Sequence, residues 1–156
     1  MEGFNFSFKK PLTFLPHWAR GLQVFANAST LHATGDAAAN FEGYVPRSIN
    51  WGISLSREKF SVQANWNYRG RLRDNPLSGQ SIEPGTYIWS PSRLFVEFTG
   101  EYQLTDTFAA FTKVRNLTDE AQTDTIYEGP NTLPTANFNN RVKFGAFWTF
   151  GLRARF

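Results

Sequence analysis

The chain has 156 residues, no cysteine, and 16 basic against 13 acidic side chains, a formal charge of +3. That length holds one domain or two, and the absence of thiols excludes disulfide scaffolds and thiolate metal centres. With 41% hydrophobic and 19% charged residues the chain is too apolar for a disordered tail. Sixteen Phe, five Tyr and five Trp sit beside a negative mean hydropathy of −0.39, so the rings must be interleaved with polar residues.

No stretch approaches the ~18 consecutive apolar residues of a membrane helix, and none resembles the apolar core of a signal peptide. The basic excess is mild and dispersed, which argues against nucleic acid as a partner.

Period two dominates instead. Strands are expected over about 3–10, 21–32, 47–57, 60–71, 92–104, 108–118 and 140–156. In the first, Phe4, Phe6 and Phe8 share a face; in the second, Leu22, Val24, Ala26 and Ala28 oppose Gln23, Asn27 and Ser29. The third carries Ile49, Trp51, Ile53 and Leu55 at alternate positions, and the fourth alternates throughout from Phe60 to Arg69. In the fifth, Leu94, Val96, Phe98, Tyr102 and Leu104 oppose Arg93, Glu97, Thr99, Glu101 and Gln103. The sixth sets Phe108, Ala110, Thr112 and Val114 against Lys113 and Arg115. In the last, Val142, Phe144, Ala146, Trp148, Phe150, Leu152, Ala154 and Phe156 share one face, and Arg141, Lys143, Arg153 and Arg155 share the other. Such alternation puts the two classes on opposite faces of a strand.

The connections differ in size. Glu58-Lys59 and Thr105-Asp106-Thr107 are of hairpin length, and the segment from Pro11 to Gly21 is somewhat longer. Long links at roughly 34–46, 72–91 and 119–140 crowd the other end. A three-residue turn at 105–107 predicts Glu97 opposite Arg115, Thr99 opposite Lys113, Glu101 diagonal to Lys113, and Phe98 opposite Val114. Val96 is expected to meet the methyl of Thr112. A two-residue turn at 58–59 predicts Trp51 opposite Trp66 and Ile49 opposite Tyr68.

Alternation also occurs in soluble sandwiches, so the solvent of the apolar face must be argued separately. The expected strands are long enough to cross a bilayer at a tilt, and the polar face carries charges and amides along its length. Rings gather toward strand ends, with Trp51, Trp66 and Tyr68 on the long-loop side and Tyr102, Phe108 and Phe156 on the short-turn side; Trp148 joins this aromatic set. A sheet in hydrocarbon must close, and seven strands leave it open. The expectation is an all-β, antiparallel transmembrane barrel segment belonging to a larger barrel.

Four strings carry a resemblance. Arg115-Asn116-Leu117-Thr118-Asp119-Glu120 is similar to the "NLTD/NLTNE" signature near the penultimate strand of TonB-dependent outer-membrane receptors. Gly100-Glu101-Tyr102-Gln103-Leu104-Thr105-Asp106 resembles their "xYxLTDN" strand and turn. The stretch from Phe41 to Ser48, followed by Asn50-Trp51-Gly52, resembles "FPGxSxxSxNLG", and the terminal Gly151-Leu152-Arg153-Ala154-Arg155-Phe156 resembles a closing strand ending in Phe. The resemblance spans nearly all of 1–156. It implies the C-terminal portion of a barrel of about 22 strands, located in the bacterial outer membrane and taking up a scarce nutrient such as an iron–siderophore or an oligosaccharide. The implied partners are outer-membrane lipid, the rest of the barrel and its plug, TonB through a further N-terminal region, and the outer-membrane assembly machinery through the last strand.

Arg69, Arg71, Lys113, Arg115, Arg141, Lys143, Arg153 and Arg155, with Glu97, are the candidates for a charged lumen that attracts an anionic solute. The plainer reading of the same residues is cross-strand pairing with Glu97 and Glu101, or contact with a plug. Tyr87, Trp89 and Tyr127 in the long links are candidates for stacking on a ligand ring, or for loop packing. His17 and His32 have no neighbours at metal spacing, and no nucleophile elbow or phosphate loop occurs. No catalytic residue, metal or cofactor is expected. Asn5, Asn27 and Asn116 begin sequons that an outer-membrane location would leave unmodified. Two other readings stay open: a soluble lectin-like sandwich with the rings in its core, and a small homo-oligomeric outer-membrane pore.

Overall fold

The computed structural model describes residues 2–33, 43, 45–79, 81–133 and 137–155. Among them, strands β1 (Glu2–Pro11), β2 (Leu22–His32), β3 (Arg47–Ser56), β4 (Phe60–Arg69), β7 (Arg93–Gln103), β8 (Phe108–Arg115) and β11 (Phe147–Ala154) form one sheet. Its order is β1-β2-β3-β4-β7-β8-β11, every neighbour antiparallel. The fold is all-β. The other four strands, β5 (Leu72–Pro76), β6 (Tyr87–Ser90), β9 (Thr123–Glu128) and β10 (Phe138–Val142), form a second antiparallel sheet in the order β10-β9-β6-β5.

The predicted registers recur. Trp51 pairs with Trp66 and Ile49 with Tyr68; Phe98 pairs with Val114 and Thr99 with Lys113. One expected pair is wrong, because Thr112 lies opposite Gly100 and not Val96. The turns that set these registers are held locally. Arg57 N–H donates to Phe60 O at 2.7 Å, and Thr105 Oγ1 accepts from Phe108 N–H at 3.0 Å. Between β1 and β2, a 3-10 turn at His17–Ala19 leads into Gly21 at φ 88°, where a Cβ would run into the carbonyl oxygen of Ser56.

Antiparallel register puts all the period-two apolar residues on one side. Phe8, Ala26, Trp51, Trp66 and Val96 form one row across five strands. Val24, Ile53, Ala64, Phe98, Val114 and Trp148 form the next. The polar side has two interruptions of a matching kind. Phe25 is the register partner of Gly52 and Phe111 of Gly151, and each ring occupies the space that a Cβ on its glycine would need. A ring laid over a strand glycine restores the contact that the missing side chain forgoes.

Among the described residues no second layer covers the apolar side. The buried hydrophobic ones among them are Ala19, Leu72, Val96, Ala109, Val114 and Ala121, mostly small, whereas Phe4, Phe150 and Leu152 are 66–70% exposed. The principal contacts run between strands adjacent within each sheet. One polar atom on this side is out of place. Thr112 Oγ1 is buried with no partner among the described residues, opposite Gly100 and Phe150. Thr112→Val should therefore raise stability by about 1 kcal/mol, read as a higher urea midpoint of the folded chain. A lowered midpoint would mean that the hydroxyl has a partner after all.

Three expected boundaries are corrected. The fourth strand ends at Arg69 and the sixth at Arg115, because Asn116 takes a positive φ of 53°. The strand expected over 140–156 is two strands, broken at 143–146, where Gly145 has φ 79°. Arg141 therefore belongs to the second sheet and Lys143 to the break, and neither shares a strand face with Arg153 and Arg155. The links expected at 72–91 and 119–140 contain three strands of the second sheet, β5, β6 and β9, and the start of the fourth, β10. Phe156, and most of the 34–46 link with the Phe41-Glu42-Gly43-Tyr44 string, fall outside the described residues apart from Gly43.

Candidate functional site

The second sheet grows out of the first. β5 follows β4 after Gly70-Arg71, β6 precedes β7 by Pro91-Ser92, β9 follows β8, and β10 precedes β11. The order β5-β6-β9-β10 thus repeats the order β4-β7-β8-β11 of the strands that carry it. Leu117 N–H to Val96 O at 2.9 Å and Gln122 N–H to Val142 O at 3.1 Å tie the junction.

The cationic candidates are distributed over this assembly, and four of the eight are matched with acids. Arg71 pairs with Glu128, Arg141 with Asp124 at 4.0 Å, Lys143 with Asp119 at 3.0 Å, and Arg153 with Glu101 at 2.7 Å. All four pairs are partly solvent-exposed, so each adds at most about 1 kcal/mol. The expected pairing with Glu101 is made by Arg153, and the other three acids lie in segments read as loops. Glu101 reaches Arg153 across β8 instead of Lys113, and Glu97, opposite Asn65, is not ion-paired with Arg115. Lys113 lies between Thr99 and Thr149, and Arg115 lies opposite Phe147.

Arg69 faces Arg93 directly across β4 and β7. Both residues line a small cavity with Glu120 and Asp124. Arg93 Nη1 also donates to the carbonyl of Gln122.

The rings of the long links are engaged with arginines. The Arg71 guanidinium lies 4.1 Å from the Trp89 ring centre and that of Arg73 lies 4.5 Å from Tyr87. Trp89 and Tyr87 alternate with Ile88 along β6, and Ile88 is the partner of Tyr127. These three rings thus divide between the two faces of the small sheet and do not converge on one spot.

The aromatic candidates of the large sheet sort by row. Trp51 and Trp66 stack, with centroids 6.3 Å apart and planes 5° from parallel, one row below Tyr68 and Leu94. Tyr102 pairs with Phe60 at the short-turn end and is half exposed. Trp148, the second residue of β11, lies opposite Val114 near the end of β8 and stacks on Phe150 at 5.9 Å.

What the sequence reading overlooked is the neutral half of the polar side. Ser7, Asn27, Asn50 and Asn67 form one row, and Asn5, Ser29 and Ser48 form the next. Ser7 Oγ donates to Asn27 Oδ1 at 2.8 Å and Asn50 Nδ2 donates to Asn67 Oδ1. The signal was available: each of these residues sits at a polar position of a period-two strand, and register brings them together. Among the described residues no three His, Asp or Glu side chains gather as a metal site. Asn116 of the third sequon is buried, whereas Asn5 and Asn27 are exposed on the polar side.

Comparison of the chain with protein-family models, with curated proteins and with solved structures returns no match.

Proposed function

We propose that the chain is a wall segment of an outer-membrane β-barrel receptor of the TonB-dependent kind, which takes up a scarce nutrient, an iron–siderophore or an oligosaccharide. The observation that carries this reading is the uncovered apolar side of the seven-stranded sheet. The apolar side exposes Phe4, Phe6 and Phe8 at one edge, Trp148, Phe150 and Leu152 at the other, and Ile53, Leu94 and Tyr102 between them, more large apolar side chains on one face than a soluble monomer leaves in water. Acyl chains solvate such a face without penalty, and the amides and charges opposite suit a hydrated lumen. A sandwich core requires a second sheet packed on the apolar face.

The sheet edges favour a larger barrel over a ring of identical copies. Seven antiparallel neighbours make β1 and β11 run in the same direction. Copies joined edge to edge in one orientation would have to pair those two strands in parallel. An additional segment with an odd number of strands closes both edges antiparallel and brings the total to the even number typical of bacterial barrels. The outer-membrane lipid, the remaining barrel with its plug, TonB, and the assembly machinery are partners under this proposal, and the chain has no catalytic role in it.

The test is depth-resolved quenching of tryptophan in bilayers of brominated lipid. After refolding, fluorescence from Trp51, Trp66 and Trp148 is expected to fall, because all three stand on the apolar side. Full emission from all three in a folded, bilayer-associated chain would end the membrane reading.

A further inference from the structure

The polar side of the large sheet is divided by charge. Toward β11 it carries Glu97, Glu101, Lys113, Arg115 and Arg153. Toward β1 the two rows described above carry only amides and hydroxyls from β1 to β3; on β4 the first ends in Asn67 and the second in Arg69. Together with the residue between them in each strand, these rows line a cavity of about 460 Å3, within the range of small-ligand sites. Lys9 and Arg69 stand at its margins, and Arg69 belongs to the separate cavity that it shares with Arg93, Glu120 and Asp124.

We infer that this neutral surface on β1–β4 binds a polyhydroxylated, uncharged solute, a carbohydrate, and not an anionic metal chelate; the inference rests on the transporter reading and selects between its two substrate classes. An amide offers two donors and two acceptor lone pairs. The bond from Ser7 uses one acceptor site of Asn27, and the bond between Asn50 and Asn67 uses one donor and one acceptor site. The rest of that capacity faces a sugar's adjacent hydroxyls, which also need donors and acceptors in alternation. Next to the amides, Phe25 lies across Gly52, because no Cβ there holds the ring away from the sheet. A flat ring beside a ladder of amides suits a pyranose, whose C–H face is apolar and whose rim is hydroxyl. An anionic chelate finds the opposite arrangement. Arg71, Arg141, Lys143 and Arg153 are already matched to carboxylates, and Lys113 and Arg115, which have no ion pair among the described residues, stand toward β11, away from this surface.

The experiment follows the side-chain amide resonances of Asn27, Asn50 and Asn67 in the full chain refolded in detergent. The probes are a panel of neutral hexasaccharides (a maltohexaose, a xylohexaose and a mannohexaose) and, separately, ferric citrate. At least one hexasaccharide is expected to shift these signals saturably. Joint replacement Asn27→Leu, Asn50→Leu and Asn67→Leu should weaken that binding about tenfold or more, through loss of two or three hydrogen bonds. If the triple variant does not fold, Ser29→Ala with Ser48→Ala serves as the milder test on the second row. Shifts from ferric citrate in place of the sugars, or no shift from any sugar in the folded chain, would overturn the inference. Brominated-lipid quenching of Trp51 and Trp66, measured on the same samples, separates the two levels. Quenching without sugar binding removes only the carbohydrate assignment, and absence of quenching removes the transporter reading beneath it.

Discussion

Replacing Ala64 by arginine is expected to destabilise the folded chain in a bilayer by about 2–4 kcal/mol, while Gln63→Arg changes stability by no more than about 0.5 kcal/mol. The two positions are adjacent on β4 and point to opposite sides. Ala64 lies in the middle apolar row between Ile53 and Phe98. A guanidinium there is far from either rim, and burying its charge in hydrocarbon is the largest single penalty a barrel wall can suffer. Gln63 is on the polar side, its Nε2 donating to Asn65 Oδ1 at 2.9 Å, and an arginine there remains in water. Urea titration of folding into bilayers reads both. The pair is diagnostic because each environment leaves its own mark. If water wetted the apolar side, Ala64→Arg would be as mild as its neighbour.

How much of this was legible beforehand depends on distance along the chain. Side chains alternate strictly along a strand, so Phe60 to Arg69 declares β4 without reference to any other residue, and a turn of known length converts that into pairing. Trp51 opposite Trp66 follows from Glu58-Lys59 alone. Parity fails where the backbone leaves the strand. Val142, Phe144, Ala146 and Trp148 keep the rhythm on paper, yet the chain breaks at 143–146 around Gly145. Gly145, with no side chain to oppose a positive φ, was the warning. The second sheet was hidden for another reason. Leu72-Arg73-Asp74-Asn75-Pro76 has no apolar face to reveal it, although Tyr87-Ile88-Trp89 and Thr125-Ile126-Tyr127 carry the β-branched and aromatic residues that strands favour. The ion pairs were the least readable feature. Asp119, Asp124 and Glu128 lie in segments read as loops, so partners for Lys143, Arg141 and Arg71 could not be named from spacing.

Asn116→Ala is expected to cost about 2–4 kcal/mol, with Asn116→Gly milder by about 1 kcal/mol. The residue is 3% exposed and adopts φ 53°, where asparagine and glycine are tolerated and alanine is strained. Its Nδ2 donates to the carbonyls of Glu120 at 2.7 Å and Gly145 at 3.3 Å, and its Oδ1 accepts from Glu120 N–H at 2.9 Å. Its own carbonyl accepts from Asp119 N–H at 3.0 Å, and Asp119 in turn holds Lys143. One side chain thus closes the β8–β9 turn and fastens it to the break between β10 and β11. That accounts physically for an asparagine at the head of Asn116-Leu117-Thr118-Asp119-Glu120. Asn116→Asp should be as damaging as alanine, since a carboxylate oxygen would replace the donor that faces two carbonyls. The difference between alanine and glycine measures backbone strain, and that between glycine and asparagine measures the three hydrogen bonds. Hydrogen exchange gives the sharper readout. In the alanine variant the amides of β9 and β10 are expected to lose protection while those of β3, β4 and β7 keep it, because the clamp joins the small sheet to the large one and lies outside the large sheet's own ladder. Uniform loss across both sheets would mean that the two unfold as one unit and that Asn116 is not the joint between them.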